Sequence, residues 1–114
     1  MERWNLVELD APGGSRSPTV LHSSEAARAV LVALDPGQHL GDHQVKETAF
    51  VAVVQGRARV ECGGESVEAG EGFLFRFEPD EQRSIWSDHG ARLLLFLAPW
   101  PGAGHYRGEG RESA

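Results

Sequence analysis

Cysteine is nearly absent from this chain of 114 residues. Cys62 stands alone, which excludes an intrachain disulfide and fits a reducing compartment. Lysine is as scarce: Lys46 is the only one, and no neighbouring pattern supports amine catalysis there. The 11 basic residues are outnumbered by 17 acids, for a formal net charge of -6. They are scattered rather than gathered in a stripe. That speaks against general nucleic-acid binding, which needs clustered cations to displace counterions. No apolar run approaches the ~20 residues that span a bilayer, and a run such as 93–98 has the length of a strand. The N-terminal residues are charged and lack the apolar core of a signal peptide. A cytoplasmic protein without a membrane partner is therefore expected. Phosphate-binding glycine loops that open a helix are missing, and so is nucleophile-elbow spacing around Ser, His and Asp.

What the chain has in abundance is punctuation. Fourteen glycines and six prolines separate short apolar segments, the signature of a sandwich or barrel of short strands. One domain is expected over residues 1–106, with 107–114 a flexible tail rich in Gly and charge. Strands are predicted at 4–9, 19–22, 48–54, 57–62, 66–68, 73–77, 84–87 and 92–98. In 57–62, Arg57, Arg59 and Glu61 alternate with Ala58, Val60 and Cys62, so the two sets lie on opposite faces. Cys62-Gly63-Gly64-Glu65 reads as a hairpin turn. Phe73, Phe75 and Phe77 fall on one strand face, a stripe that reads as core before ligand cage. Residues 24–34 carry two signals. Ser24 could cap a helix through Glu25-Ala26-Ala27-Arg28-Ala29, whereas Val30-Leu31-Val32-Ala33-Leu34 suits a buried strand.

From Pro36 to Trp86 the chain resembles the two-motif core of the cupin family. Gly37 is followed by five residues and then His43, and Gly56 closes the first motif. Gly72 opens the second, with Pro79 and Arg83 in its frame. The resemblance implies an all-β fold: an antiparallel jelly-roll β-barrel of nine or ten strands, the cupin double-stranded β-helix. It also favours, for 24–34, a strand from about Arg28 to Leu34 after a turn at 23–26 over the helix. Of the four positions that hold metal in the family, His43 is kept. The other three are Val45, Ala49 and Arg83, and Asp80 stands where glycine is usual. Divalent metals in such sites want three or four N or O donors at about 2.0–2.2 Å. Val45 and Ala49 offer none, and a guanidinium stays protonated. No metal cofactor is expected. The alternative is a divalent transition metal in a rearranged site of His43 with Glu47, His39 or His105.

The frame implies instead a pocket shared by His43 and Arg83, lined by Val45, Ala49, Phe75 and Leu93 or Leu95. An apolar cavity with a few polar groups suits a small ligand, and the Arg83 fork suits a carboxylate or phosphate. Arg83 has a plainer reading as a salt bridge to Asp80, Glu78, Glu81, Glu47 or Asp42. His43 is the candidate catalytic base, or else a satisfied polar residue. Glu47 reads as a solvated turn residue, His39 and His89 as solvated loop residues, and His22 as a strand end. Beyond 98, Pro99-Trp100-Pro101 leads toward His105 and Tyr106, and the segment can seal the domain's end, meet another subunit or close over the pocket as a lid. Three functions follow: a binder of a small organic, anionic ligand without metal; an enzyme of isomerase, cyclase or dioxygenase type; or a non-catalytic scaffold. A homodimer is expected, with 4–9 contributing an edge strand.

Overall fold

Alternation dictates most of this architecture. A computed structural model of the chain describes residues 1–13, 18–43 and 45–102, the side chains of 41–43 excepted. Nine strands occur among the described residues: β1 Thr19–Ser23, β2 Arg28–Leu34, β3 Gln38–His43, β4 Thr48–Gly56, β5 Ala58–Cys62, β6 Glu65–Ala69, β7 Leu74–Phe77, β8 Arg83–Ser87 and β9 Ala91–Ala98. They form two antiparallel sheets. One has five strands in the order β1-β2-β9-β4-β7, the other four in the order β3-β8-β5-β6. Neither sheet closes on itself, which corrects the expectation of a β-barrel. The molecule is a two-sheet sandwich, with β1, β7, β3 and β6 left as edges.

The core lies between the sheets. Along β4, Ala49, Val51 and Val53 are buried and alternate with half-exposed neighbours, as a pleated strand with one covered face requires. Along β8 the inward residues are Arg83, Ile85 and Ser87. Leu31 and Leu93 are fully buried, each worth about 1.5–3 kcal/mol relative to an exposed side chain. Segment 24–34 resolves as the strand reading required. Ser24 N–H donates to the Ala27 carbonyl, and its Oγ accepts from the Ala26 N–H, so this residue closes a turn rather than capping a helix. No strand is predicted over β3, because Gly41 and four polar residues among its six carry no apolar alternation.

Two further expectations are overturned. Residues 4–9 form a turn, not a strand: the Asn5 side chain accepts from the Val7 and Glu8 N–H groups, and its carbonyl from Leu9. Local hydrogen bonding by Asn outcompetes the weak apolar pattern there. His39 belongs to β3 rather than a loop, and its exposed ring stacks on Trp86 at 5.6 Å.

The motif glycines mark real backbone constraints. Gly56 has φ 83°, and a Cβ there would collide with the Gly90 carbonyl oxygen. Asp80, where a glycine is usual, holds φ 66°. Its N–H donates to the Val45 carbonyl at 2.7 Å and its carboxylate pairs with Lys46 at 2.7 Å. Those contacts offset the roughly 1–2 kcal/mol that a left-handed residue costs.

Among the described residues no helix is long and apolar enough to cross a membrane. The outer face of the five-stranded sheet has an apolar centre, with Arg76 on β7 beside it. Phe50, Ala52, Leu74, Leu94 and Phe96 line an apolar depression of about 350 Å³ there.

Candidate functional site

Strand β8 delivers one charged side chain to the core. Arg83 is 2 % exposed, and its guanidinium lies 5.0 Å from the Phe77 ring centroid. Among the described residues none of its three nitrogens has a hydrogen-bond partner. Three of the carboxylates considered for it are engaged elsewhere: Asp80 with Lys46, Glu78 with Arg76 at 2.6 Å, and Glu81 with Cys62. Burial pushes the Arg83 pKa down from its usual value, and the nearby Cys62 and Glu81 push it partly back. Ser87, two positions on and also buried, shows the ordinary solution: its hydroxyl donates to the Arg57 carbonyl at 2.6 Å and accepts from the Gly90 N–H at 2.8 Å. Buried polar groups are normally satisfied in this way, so the bare Arg83 fork stands out.

The register sets its neighbours. Arg83 pairs with His43 on β3 and with Cys62 on β5, so the three backbones lie in one row across the four-stranded sheet. The His43 side chain lies outside the described structure. Cys62 faces inward as its alternation predicted, packing against the core. Its thiol donates to Glu81 Oε2 at 3.1 Å, while Glu81 Oε1 accepts from the Glu78 N–H at 2.9 Å. Removal from water and then the Glu81 contact raise the Cys62 pKa above 9.0. Glu81 moves the other way, held below 4.5 chiefly by the Glu78 N–H and then by the Cys62 thiol.

Two cavities meet at this pair. An outer one of about 580 Å³ opens beside the 62–65 hairpin, and its wall includes Glu61, Cys62, Glu65, Glu81 and Arg83. An inner one of about 300 Å³ continues past Cys62, Glu65 and Glu81 to Val60, Phe75 and Phe77. Phe73, Phe75 and Phe77 stack in a ladder at 5.9 and 6.2 Å, running from half exposed to fully buried. Phe77 belongs to the core, Phe75 packs against it, and both reach the cavity wall.

Of the residues expected to line the pocket, Arg83 and Phe75 come to these cavities. Val45 and Ala49 pack in the core and line neither of them. Cys62 and Glu81 were not anticipated as site residues. The inward phase of Cys62 was readable from its alternation, but the reach of Glu81 back over it from the 78–82 turn was not. Glu47 corrects an expectation: it is 1 % exposed, not solvated, and its Oε2 accepts the Gly102 N–H at 2.7 Å. This bond ties down the chain beyond β9, where Trp100 packs on the core and under the Arg28 guanidinium at 4.7 Å. His105, Tyr106 and the 107–114 tail fall outside the described residues.

The donor set does not fit the metal that the fold implies. The positions aligned with its ligands place Ala49 in the core and a buried cation at 83. Glu47 turns its carboxylate toward Gly102, and no group of three or more His, Cys, Asp or Glu converges among the described residues.

The sequence profile of the AraC-like ligand binding domain matches residues 25–99, most of the sandwich. The chain belongs to this AraC-like ligand binding domain family. Its fold is that of the cupins. It is similar to an RmlC-like cupin from Desulfovibrio desulfuricans, with TM-score 0.76 and 19% identity over 87% of this chain and 97% of that one. An RmlC-like cupin from Shewanella frigidimarina superposes with TM-score 0.69 and 21% identity, covering 72% and 74% of the two chains. A protein from Neisseria meningitidis does so with TM-score 0.65 and 19% identity over 82% and 91%. No curated protein sequence matches the chain.

Proposed function

We propose that this AraC-like domain binds a small organic acid in the cavities beside Arg83, without a metal, with the acid's anionic carboxylate anchored on the Arg83 guanidinium. The supporting observation is that guanidinium: buried, with no partner on any nitrogen among the described residues. A buried charge without a partner is costly in the free protein. A carboxylate placed on its fork would supply two parallel charge-assisted hydrogen bonds and recover that cost on binding. The ligand reaches the fork by displacing the Cys62–Glu81 contact, since the nitrogens themselves are out of reach of solvent. Phe75 and Val60 then receive its apolar part. A cytoplasmic setting, where a lone thiol stays reduced, accords with this reading.

The test is thermal melting against a panel of small carboxylates, with wild-type protein and Arg83→Met side by side. At least one acid should raise the wild-type Tm and leave the variant unmoved. A panel that protects both proteins alike would sink the assignment of Arg83.

A second observation supports self-association. The outer face of the five-stranded sheet has an apolar depression walled by Phe50, Ala52, Leu74, Leu94 and Phe96. In a chain of net charge -6, copies repel least where the touching residues carry no charge, as in this depression, and an isologous contact places it against itself. The homodimer then forms through this face rather than through 4–9, which is a turn.

A further inference from the structure

The signs of charge around the two cavities narrow the ligand class. Arg83 is the one cation in the outer cavity wall, and Glu61, Glu65 and Glu81 lie in the same wall. Glu65 and Glu81 also line the inner cavity. A simple anion approaching Arg83 therefore passes three carboxylates to reach one guanidinium. A dianion such as a phosphate ester fares worse: the second cation, Arg76 in the inner cavity wall, is already paired with Glu78 at 2.6 Å. Glu81 lies close enough for its charge to act on Arg83, yet no ion pair within 4.0 Å joins them among the described residues. The Cys62 thiol is hydrogen-bonded to Glu81, and Cys62 pairs in register with Arg83. A positive and a negative protein group are thus held apart at one cavity junction, with an apolar wall of Val60, Phe75 and Phe77 just beyond.

Resting on the Arg83 reading, we infer that the site takes a zwitterionic α-amino acid with an apolar side chain, held by its carboxylate on Arg83 and by its ammonium on Glu81. Such a ligand is neutral overall, so the acidic rim does not repel it. Its two charges sit on adjacent groups, matching the opposed pair in the protein. Its side chain fills the inner cavity, whose volume of about 300 Å³ is at the small end of ligand pockets. Displacing the thiol from Glu81 frees that carboxylate for the ammonium, so one movement uncovers both recognition groups.

Titration calorimetry with matched probes tests this. L-Phenylalanine is compared with 3-phenylpropanoate, which lacks only the ammonium, and L-leucine with 4-methylpentanoate in the same way. Wild-type, Glu81→Gln and Arg83→Met proteins are used, each first shown to be folded by its circular dichroism. In the wild type at least one amino acid should bind tenfold or more tightly than its des-amino partner. Glu81→Gln should bring the two within about threefold, and Arg83→Met should abolish binding of both. If the des-amino acids bind as well as or better than the amino acids, or if the preference survives Glu81→Gln, the amino-acid inference is overturned. Loss of that binding in Arg83→Met would still leave the anchor role standing. Binding that is unchanged in Arg83→Met, or no binding of any of the four probes to the wild type, overturns both.

Discussion

Replacing Arg83 by methionine should make the free protein more stable. The guanidinium is 2 % exposed and has no hydrogen-bond partner among the described residues, so its removal breaks none there. The relief is the desolvation cost of a buried charge, about several kcal/mol after relaxation. Against it stands the lost contact with the Phe77 ring at 5.0 Å, worth about 0.5–2 kcal/mol. Methionine is unbranched and fills irregular space, so the cavity term stays small. The net expectation is a gain of about 1–3 kcal/mol, which for a domain of this size raises Tm by roughly 4–12 °C. Differential scanning calorimetry at pH 7 reads it directly. The order should reverse with a ligand present: at about 100 times Kd the wild type gains about 2.7 kcal/mol and the variant nothing. A loss of about 3–5 kcal/mol in the free variant is the signature of breaking a buried ion pair. That result would refute the argument, because it would mean that Arg83 is already paired in the free protein.

Further outcomes follow from the same geometry. Cys62, whose pKa is raised above 9.0 by burial and by Glu81, should react slowly with iodoacetamide at pH 7.5, and Glu81→Gln should speed it; equal rates would remove the Glu81 contact from the account. By the sign of that shift, the stability contributed by the neutral thiol is present below pH 9.0 and lost as pH rises through the folded-state value. Cys62→Ala should therefore flatten the alkaline limb of a Tm–pH profile. Glu81 is shifted down, so its contribution is present above pH 4.5 and lost as pH falls through its lower folded-state value; Glu81→Gln should flatten the acid limb. Glu47→Ala removes a buried carboxylate that accepts the Gly102 N–H and should cost about 2–4 kcal/mol by urea unfolding; a change below 0.5 kcal/mol, the usual range for surface sites, would place Glu47 in solvent. Light scattering should give twice the 12.4 kDa chain mass, and Leu74→Glu with Phe96→Glu should return the monomer.

The sequence carried the fold wherever one physical signal dominated. Alternation placed Ala58, Val60 and Cys62 inward, and the double glycine set the 63–64 turn, where both residues adopt positive φ. The motif spacing correctly turned Ser24 away from helix capping. It failed where polar side chains rewrote local structure: Asn5 folds back on its own backbone, and β3 is recruited by pairing with β8 despite its polar composition. Whether the sheets close is a matter of edge pairing between distant strands, which periodicity does not encode, and so the expected barrel is an open sandwich. At the site, position 83 was legible from motif spacing, but its isolation was not. That isolation depends on where Lys46, Arg76 and Cys62 draw the three neighbouring carboxylates, a competition settled only in three dimensions.

The strand order of the larger sheet also bears on how the chain is made. Strand β9 lies between β2 and β4 and pairs with both along nearly its whole length. It is also the last of the nine strands to leave the ribosome. Until it emerges, β2 and β4 each present an unpaired inner edge rich in Val, Leu and Ala, the kind of edge that recruits a neighbouring nascent chain. The larger sheet therefore assembles only after residues 91–98 are free of the exit tunnel. During synthesis the four-stranded sheet, complete by Ser87, is the only one that can form in full.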